Sequence, residues 1–131
     1  MNQVDVSEQT AKDIEFGLDI VSRYVELDVG QTIVVKNRAV LALEAFEGTD
    51  RAIARGSAIA KGVTVFKFSR QNQDLRFDVP VVGLGTLARL NRGKAKALVL
   101  EPGRVLILEK EKFLDKAAKL HISIVGKPRK K

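Results

Sequence analysis

The 131-residue chain has no cysteine and no tryptophan, and only one histidine and one tyrosine. Without cysteine there is no disulfide framework, no thiolate nucleophile and no Cys-type zinc site, and a reducing, cytoplasmic setting fits. His121, the only imidazole, falls at a helix end, where the dipole favours positive charge. Read as structural, it leaves no activated Ser-His pair for nucleophilic catalysis. One tyrosine and no tryptophan leave little for stacking nucleobases. No apolar run approaches the roughly 18 to 20 residues that cross a bilayer, and the first residues lack a basic segment followed by an apolar one. Among the acids, no glycosidase-type pair stands out.

What is present is one domain's length of chain with an uneven charge. Residues 1–28 hold seven acids against Lys12 and Arg23, a balance of −5 within a chain of +7, so the remainder carries +12. Two long spans of that remainder, Arg51 to Gln73 and Val79 to Leu100, contain no acid; Asp74 and Asp78 lie in the short stretch that separates them. Such a surface attracts polyanions, phosphorylated ligands or an anionic membrane face. The closing Lys127-Pro128-Arg129-Lys130-Lys131 reads most simply as a disordered, solvated tail, a lipid-facing or nucleic-acid-facing tail being the sharper alternative.

Periodicity predicts a helix over 8–26, capped by Ser7 or by Thr10 with Asp13 in the capping-box position, and with Ile14, Leu18, Val21 and Val25 facing the core. Gly17 within it costs about 1 kcal/mol relative to alanine, which points to a close packing contact. Strands are expected over 32–36 and 39–46 around an Asn37-Arg38 turn, both covered on two faces. A helix capped by Thr49 or Asp50 should run to Lys61, followed by a strand over 63–68 and a polar loop over 69–75. A strand over 76–82 should lead to a short helix over 86–92 with Gly93 as its C-cap. A second hairpin, 97–100 with 104–108, a helix over 109–120 and a strand over 122–125 complete the series. The expected fold is an α/β domain, with a mixed β-sheet and helices packed on its faces.

The stretch from Arg76 to Thr86 is organised for anion chemistry. Asp78 sits in an apolar run that opens through Gly83-Leu84-Gly85-Thr86 into a helix, where glycines allow close approach and the helix N-terminus offers unpaired donors. An acid in that setting needs a partner, either an internal Arg76 or Lys67 or a bound cation. Glu47 and Asp50 bracket Gly48-Thr49 at a second strand-to-helix junction. They could help hold Mg²⁺ or, more simply for Asp50, cap the helix.

Three segments in register, Leu27 to Gln31, Leu43 to Asp50 and Gln73 to Gly83, resemble the C-terminal domain of the LpxI-type UDP-2,3-diacylglucosamine pyrophosphatases, and the likeness extends from about Ser7 to Gly126. It implies a Mg²⁺-dependent cytoplasmic enzyme of lipid A synthesis that splits UDP-2,3-diacylglucosamine into UMP and 2,3-diacylglucosamine 1-phosphate (lipid X). Asp78 matches the family's catalytic aspartate, expected to hold Mg²⁺ or orient the attacking water. Gly48, Thr49 and Asp50, with Lys67, Gln73 and Arg76, are implied to line the sugar-phosphate side, with Gly83 at the glycine bend. Where the family commonly has Lys-Pro, this chain has Arg70-Gln71, which keeps the charge and loses the proline.

The resemblance further implies that residues 1–126 form the C-terminal half of a two-domain enzyme, ahead of the basic tail 127–131. The N-terminal Rossmann-like domain would be a partner lying outside this chain. A homodimer, and an anionic membrane surface met through the basic tail, are further expected partners, and nucleic acid is not. A polyanion-binding module and an inactive scaffold or dimerising domain are the alternatives.

Overall fold

In a computed structural model of the chain, residues 1–70 and 79–131 are described. Gln73, Arg76 and Asp78 lie outside those residues. Ser7 begins the first helix, its Oγ accepting the Thr10 N–H at 3.1 Å. The helix α1 runs Glu8–Tyr24 and tightens into a 3-10 turn, Val25–Leu27. Asp13 is not half of a capping box. Nearly fully buried, it reaches out of the helix and accepts the N–H groups of Asn37 at 3.1 Å and Arg38 at 2.8 Å, with Gln9 Nε2 at 3.1 Å. Asn37 and Arg38 have φ of 53° and 55°, the left-handed pair of a tight hairpin turn. A carboxylate on α1 gathers both of their donors, and so fixes the helix against the turn.

That hairpin joins β1 (Thr32–Lys36) to β2 (Ala39–Leu43). There follow α2 (Thr49–Ile59), β3 (Thr64–Lys67), β4 (Val81–Val82), α3 (Leu84–Arg92), β5 (Ala97–Leu100), β6 (Leu106–Ile107), α4 (Lys110–Lys119) and β7 (Ser123–Gly126). A five-stranded mixed sheet has the order β2-β1-β3-β5-β7. β1 is antiparallel to β2 and β3, whereas β3, β5 and β7 are mutually parallel.

The two faces of the sheet alternate with the two-residue period of its strands. Val34, Val65, Leu98 and Ile124 pack with Ile53 of α2, Leu87 and Leu90 of α3 and Phe113 of α4. Ile33, Val35, Phe66 and Val99 pack with Ile14 and Val21 of α1. A Cβ on Gly17 would lie 2.3 Å from two carbons of the Phe66 ring, so the glycine in α1 is the space that ring occupies, as expected. No helix among the described residues is long and apolar enough to cross a membrane.

Expectations for three further elements are corrected. β5 and residues 104–108 do not form a hairpin, because β5 has β3 on one edge and β7 on the other. After Glu101 the chain turns away, and β6 instead pairs in parallel with β4 as a separate small sheet. β2 ends at Leu43 and is an edge strand whose Val40 and Leu43 are exposed, so of these two strands β1 alone is covered on both faces. α3 starts at Leu84, which places Gly85 inside its first turn instead of in a loop.

The basic tail is also docked. Lys127 N–H bonds Leu100 O at 3.0 Å and Lys130 N–H bonds Ser22 Oγ at 2.9 Å. Arg129 pairs with the buried carboxylate of Glu101.

Candidate functional site

Parallel strands present their carboxyl ends together, which is where open α/β sheets take ligands. At that end β3 closes on Lys67, and β1, antiparallel to it, begins with Thr32 directly opposite. α2 starts beside them. Its N-cap is Gly48, with φ of 91°, a left-handed position that suits glycine. A glycine cap has no side chain to accept the first-turn N–H groups, so those donors face the space before the helix. Neither Thr49 nor Asp50 caps it. Thr49 Oγ1 lies 3.0 Å from Thr32 Oγ1, which locks the helix start onto the strand, and Asp50 turns toward Arg89, 3.8 Å away.

α3 also begins on a glycine without a capping side chain, Gly83, and Thr86 Oγ1 accepts the Gly83 N–H at 3.5 Å. The two helix starts meet over one cleft of about 640 Å³, lined by Glu47 to Arg51, Ala54, Lys67, Val81, Thr86 and Arg89. A smaller hollow of about 260 Å³ adjoins it through Gly48 and is lined by Gln31, Glu44, Phe46 and Arg70.

Lys67 is the centre of this cleft. It is 8% exposed, and its ammonium donates to Val81 O at 2.8 Å. Burial holds its pKa below that of an ordinary lysine, while Glu44 and then Asp50 pull the other way. A desolvated cation with one backbone acceptor and two distant acids retains a strong attraction for an anion. Arg51 and Arg89 add charge at the rim. The cleft therefore brings together three kinds of anion-binding group: two helix starts, a buried ammonium and exposed guanidinium groups.

The described acids at the cleft are engaged within the protein. Glu47 accepts the Ala45 N–H at 2.9 Å and Arg55 Nε at 3.0 Å. The Ala45 amide first, and Arg55 with it, hold its pKa below the usual carboxylate range. Among the described residues no group of three or more His, Asp or Glu is placed to bind a metal ion. A cation expected on Asp78 belongs to a residue outside the described ones.

Of the site expected from sequence, Gly48, Thr49, Asp50 and Lys67 line one cleft, and Gly83 caps the helix that closes it. Thr86 was read only as the end of the glycine bend, and Arg51 and Arg89 were not singled out. The acid-free spans that contain them were the available signal. His121 lies at the other end of the sheet, with Lys96 and Ser7, on a hollow of about 580 Å³. Its φ of 59° is the left-handed end of the turn after α4.

Residues 1–125 match the family model for the LpxI C-terminal domain. The UDP-2,3-diacylglucosamine pyrophosphatase LpxI of Caulobacter vibrioides is 29% identical over 135 residues, covering 96% of this chain and 48% of that relative. The chain thus spans about half the length of the curated relative it matches. A match over nearly all of the chain, on a fold that gathers Gly48, Thr49, Asp50 and Lys67 at one cleft, places this protein in the LpxI C-terminal domain family.

Proposed function

We propose that this domain supplies the phosphate-gripping half of a pyrophosphatase that hydrolyses UDP-2,3-diacylglucosamine to UMP and 2,3-diacylglucosamine 1-phosphate in lipid A synthesis. The observation that carries the reading is the convergence of two glycine-started helices on the buried Lys67. A diphosphate ester brings two negative phosphates close together, and one cleft with two sets of backbone donors and a desolvated ammonium suits that spacing of charge. The named activity of the Caulobacter relative supports the same reading.

In this account the first-turn N–H groups of α2 and Thr49 hold one phosphate, and the start of α3 faces the other. Lys67, with Arg76 from the adjoining segment and Arg51 and Arg89 at the rim, offsets negative charge that grows in the transition state. Asp78 orients the attacking water. Water adds across the diphosphate: one phosphorus gains its hydroxyl, and the bridging oxygen leaves on the other with the proton. We include a requirement for Mg²⁺, which Asp78 would hold and which would supply charge neutralisation there. Gln73 is assigned to substrate binding, an N-terminal Rossmann-like half completes the site, and the setting is cytoplasmic, at the inner membrane face where a diacylated substrate lies.

The test is product formation by the protein carrying both halves. Asp78→Ala should lower kcat by at least about 10², the scale of losing one well-placed electrostatic group. Near-unaltered release of UMP would remove Asp78 from the mechanism. Chelation with EDTA should abolish turnover and added Mg²⁺ restore it.

A further inference from the structure

The two acid-free spans of the sequence meet at a second place besides the cleft. Between α2 and α3 lies a hollow of about 220 Å³, lined by Ser57 and Lys61 from the first span and by Arg89, Arg92 and Gly93 from the second. Ser57 and Lys61 are one helical turn apart, as are Arg89 and Arg92, so each pair projects from one side of its helix or helix exit. Three cations therefore line the hollow, and no acid does.

Its floor is small and polar. Ser57 is 7% exposed, and among the described residues its hydroxyl has no hydrogen-bond partner. A hydroxyl in that state has given up water without a replacement, which native structures seldom tolerate unless another group reaches it. Gly93 leaves room beside it. The φ of −82° there suits any residue, but a Cβ would lie 2.3 Å from Ser57 Oγ, so it is space on the hydroxyl's side of the hollow that calls for glycine.

The cations are not otherwise engaged. Arg89 is drawn toward Asp50 on the side of the cleft, at 3.8 Å, whereas Lys61 and Arg92 make no ion pair among the described residues. Nor is Arg92 needed to cap its own helix. The carbonyl oxygens of Arg89, Leu90 and Asn91 already accept the N–H groups of Gly93, Ala95 and Lys94. A hydroxyl free to donate, a guanidinium fork and an ammonium around one small hollow match the several acceptor oxygens of a phosphate group.

We propose that this hollow is a second anion site, which takes a phosphate monoester through Ser57, Lys61 and Arg92. It is separate from the diphosphate cleft and does not rest on the pyrophosphatase reading. Two sources carry such a group, a soluble ester and a lipid headgroup.

The experiment follows amide resonances of the 131-residue chain as inorganic phosphate is added at constant ionic strength. Those of Ser57, Lys61, Arg92 and Gly93 should move to saturation, and NaCl of equal ionic strength should not move them. Arg92→Gln should weaken the binding by about ten-fold or more, the scale of one charge-assisted hydrogen bond. Ser57→Ala should weaken it several-fold with Tm undiminished, because the hydroxyl it removes has no partner to lose. Lys67→Met, a change in the cleft, should leave it intact. Shifts that do not saturate, shifts matched by NaCl, full affinity in either hollow variant, or lost affinity in Lys67→Met overturn the proposal.

The source is decided by co-sedimentation with vesicles of equal parts phosphatidylcholine and phosphatidic acid, against phosphatidylcholine alone. Retention on the acidic vesicles that Arg92→Gln abolishes makes a lipid headgroup the source; any other result, with the hollow saturated by inorganic phosphate, makes it a soluble ester.

Discussion

Tyr24 is the only tyrosine in the chain, so its titration can be read without interference. The residue is 5% exposed, and its hydroxyl donates to the carbonyl oxygen of Glu44 while lying against the backbone of Gly30. A Cβ on Gly30 would fall 2.1 Å from the Tyr24 hydroxyl oxygen. Burial, and then the charge of Glu44, raise the phenol pKa well above its ordinary value near 10. Because the folded value exceeds the unfolded one, the contribution to stability is complete below a pH of about 10 and is lost as pH rises through the folded value.

Tyrosinate absorbance should therefore stay flat past a pH of about 10, and then rise only together with the loss of the circular dichroism signal. Tyr24→Phe would leave the Glu44 carbonyl without this donor, at a cost of roughly 1–3 kcal/mol. For a domain of this size a loss of about 2 kcal/mol lowers Tm by roughly 6–10 °C. A phenol that titrates near 10 in a protein still folded by circular dichroism would refute the burial argument. An unaltered Tm in the phenylalanine variant would refute the hydrogen-bond one.

Asp13→Ala removes the acceptor shared by the Asn37 and Arg38 amides and should destabilise by about 1.5–3 kcal/mol, a fraction of two charge-assisted bonds because the turn can be rehydrated; a urea midpoint measures it. Gly17→Ala gains about 1 kcal/mol of helix propensity but forces a methyl into the Phe66 ring, an overpacking cost of about 1–3 kcal/mol. The clash should win, with Tm lowered by a few degrees; a raised Tm would show that the ring yields. Asp78→Ala should cost at least about 10² in kcat, as stated above.

How much of this was legible in the sequence varies with the range of the interaction. The α1 stripe, the Asn37-Arg38 turn, the Gly93 cap and the packing role of Gly17 were readable because each depends on neighbours within a turn or on an empty Cβ position. The 97–108 hairpin was misread because pairing depends on which edges of β5 are free, and both were taken by β3 and β7. Asp13 was misassigned for a similar reason. Its spacing fits a capping box, but a turn 24 residues away offers two donors that local spacing does not reveal.

At the candidate site, Gly48 and Thr49 came from the Leu43 to Asp50 segment of the resemblance and Lys67 from the basic stretch before Asp78, and the structure brings the three to one cleft. Thr32 opposite Thr49, and Arg89 opposite Asp50, come from separate elements that only the sheet order brings together. The tail was read as solvated from its charge, yet one of its cations meets a buried acid supplied by the end of β5.

The central claim is that the cleft at the starts of α2 and α3 grips the diphosphate through Lys67. Lys67→Met tests it most directly, because it separates binding from folding: the variant loses the bond to Val81 O but also removes a charge that burial disfavours. In the protein carrying both halves, kcat/KM for UDP-2,3-diacylglucosamine should fall by about 10² or more, with Tm unchanged or raised. An unchanged kcat/KM in a variant of unaltered Tm would contradict the account.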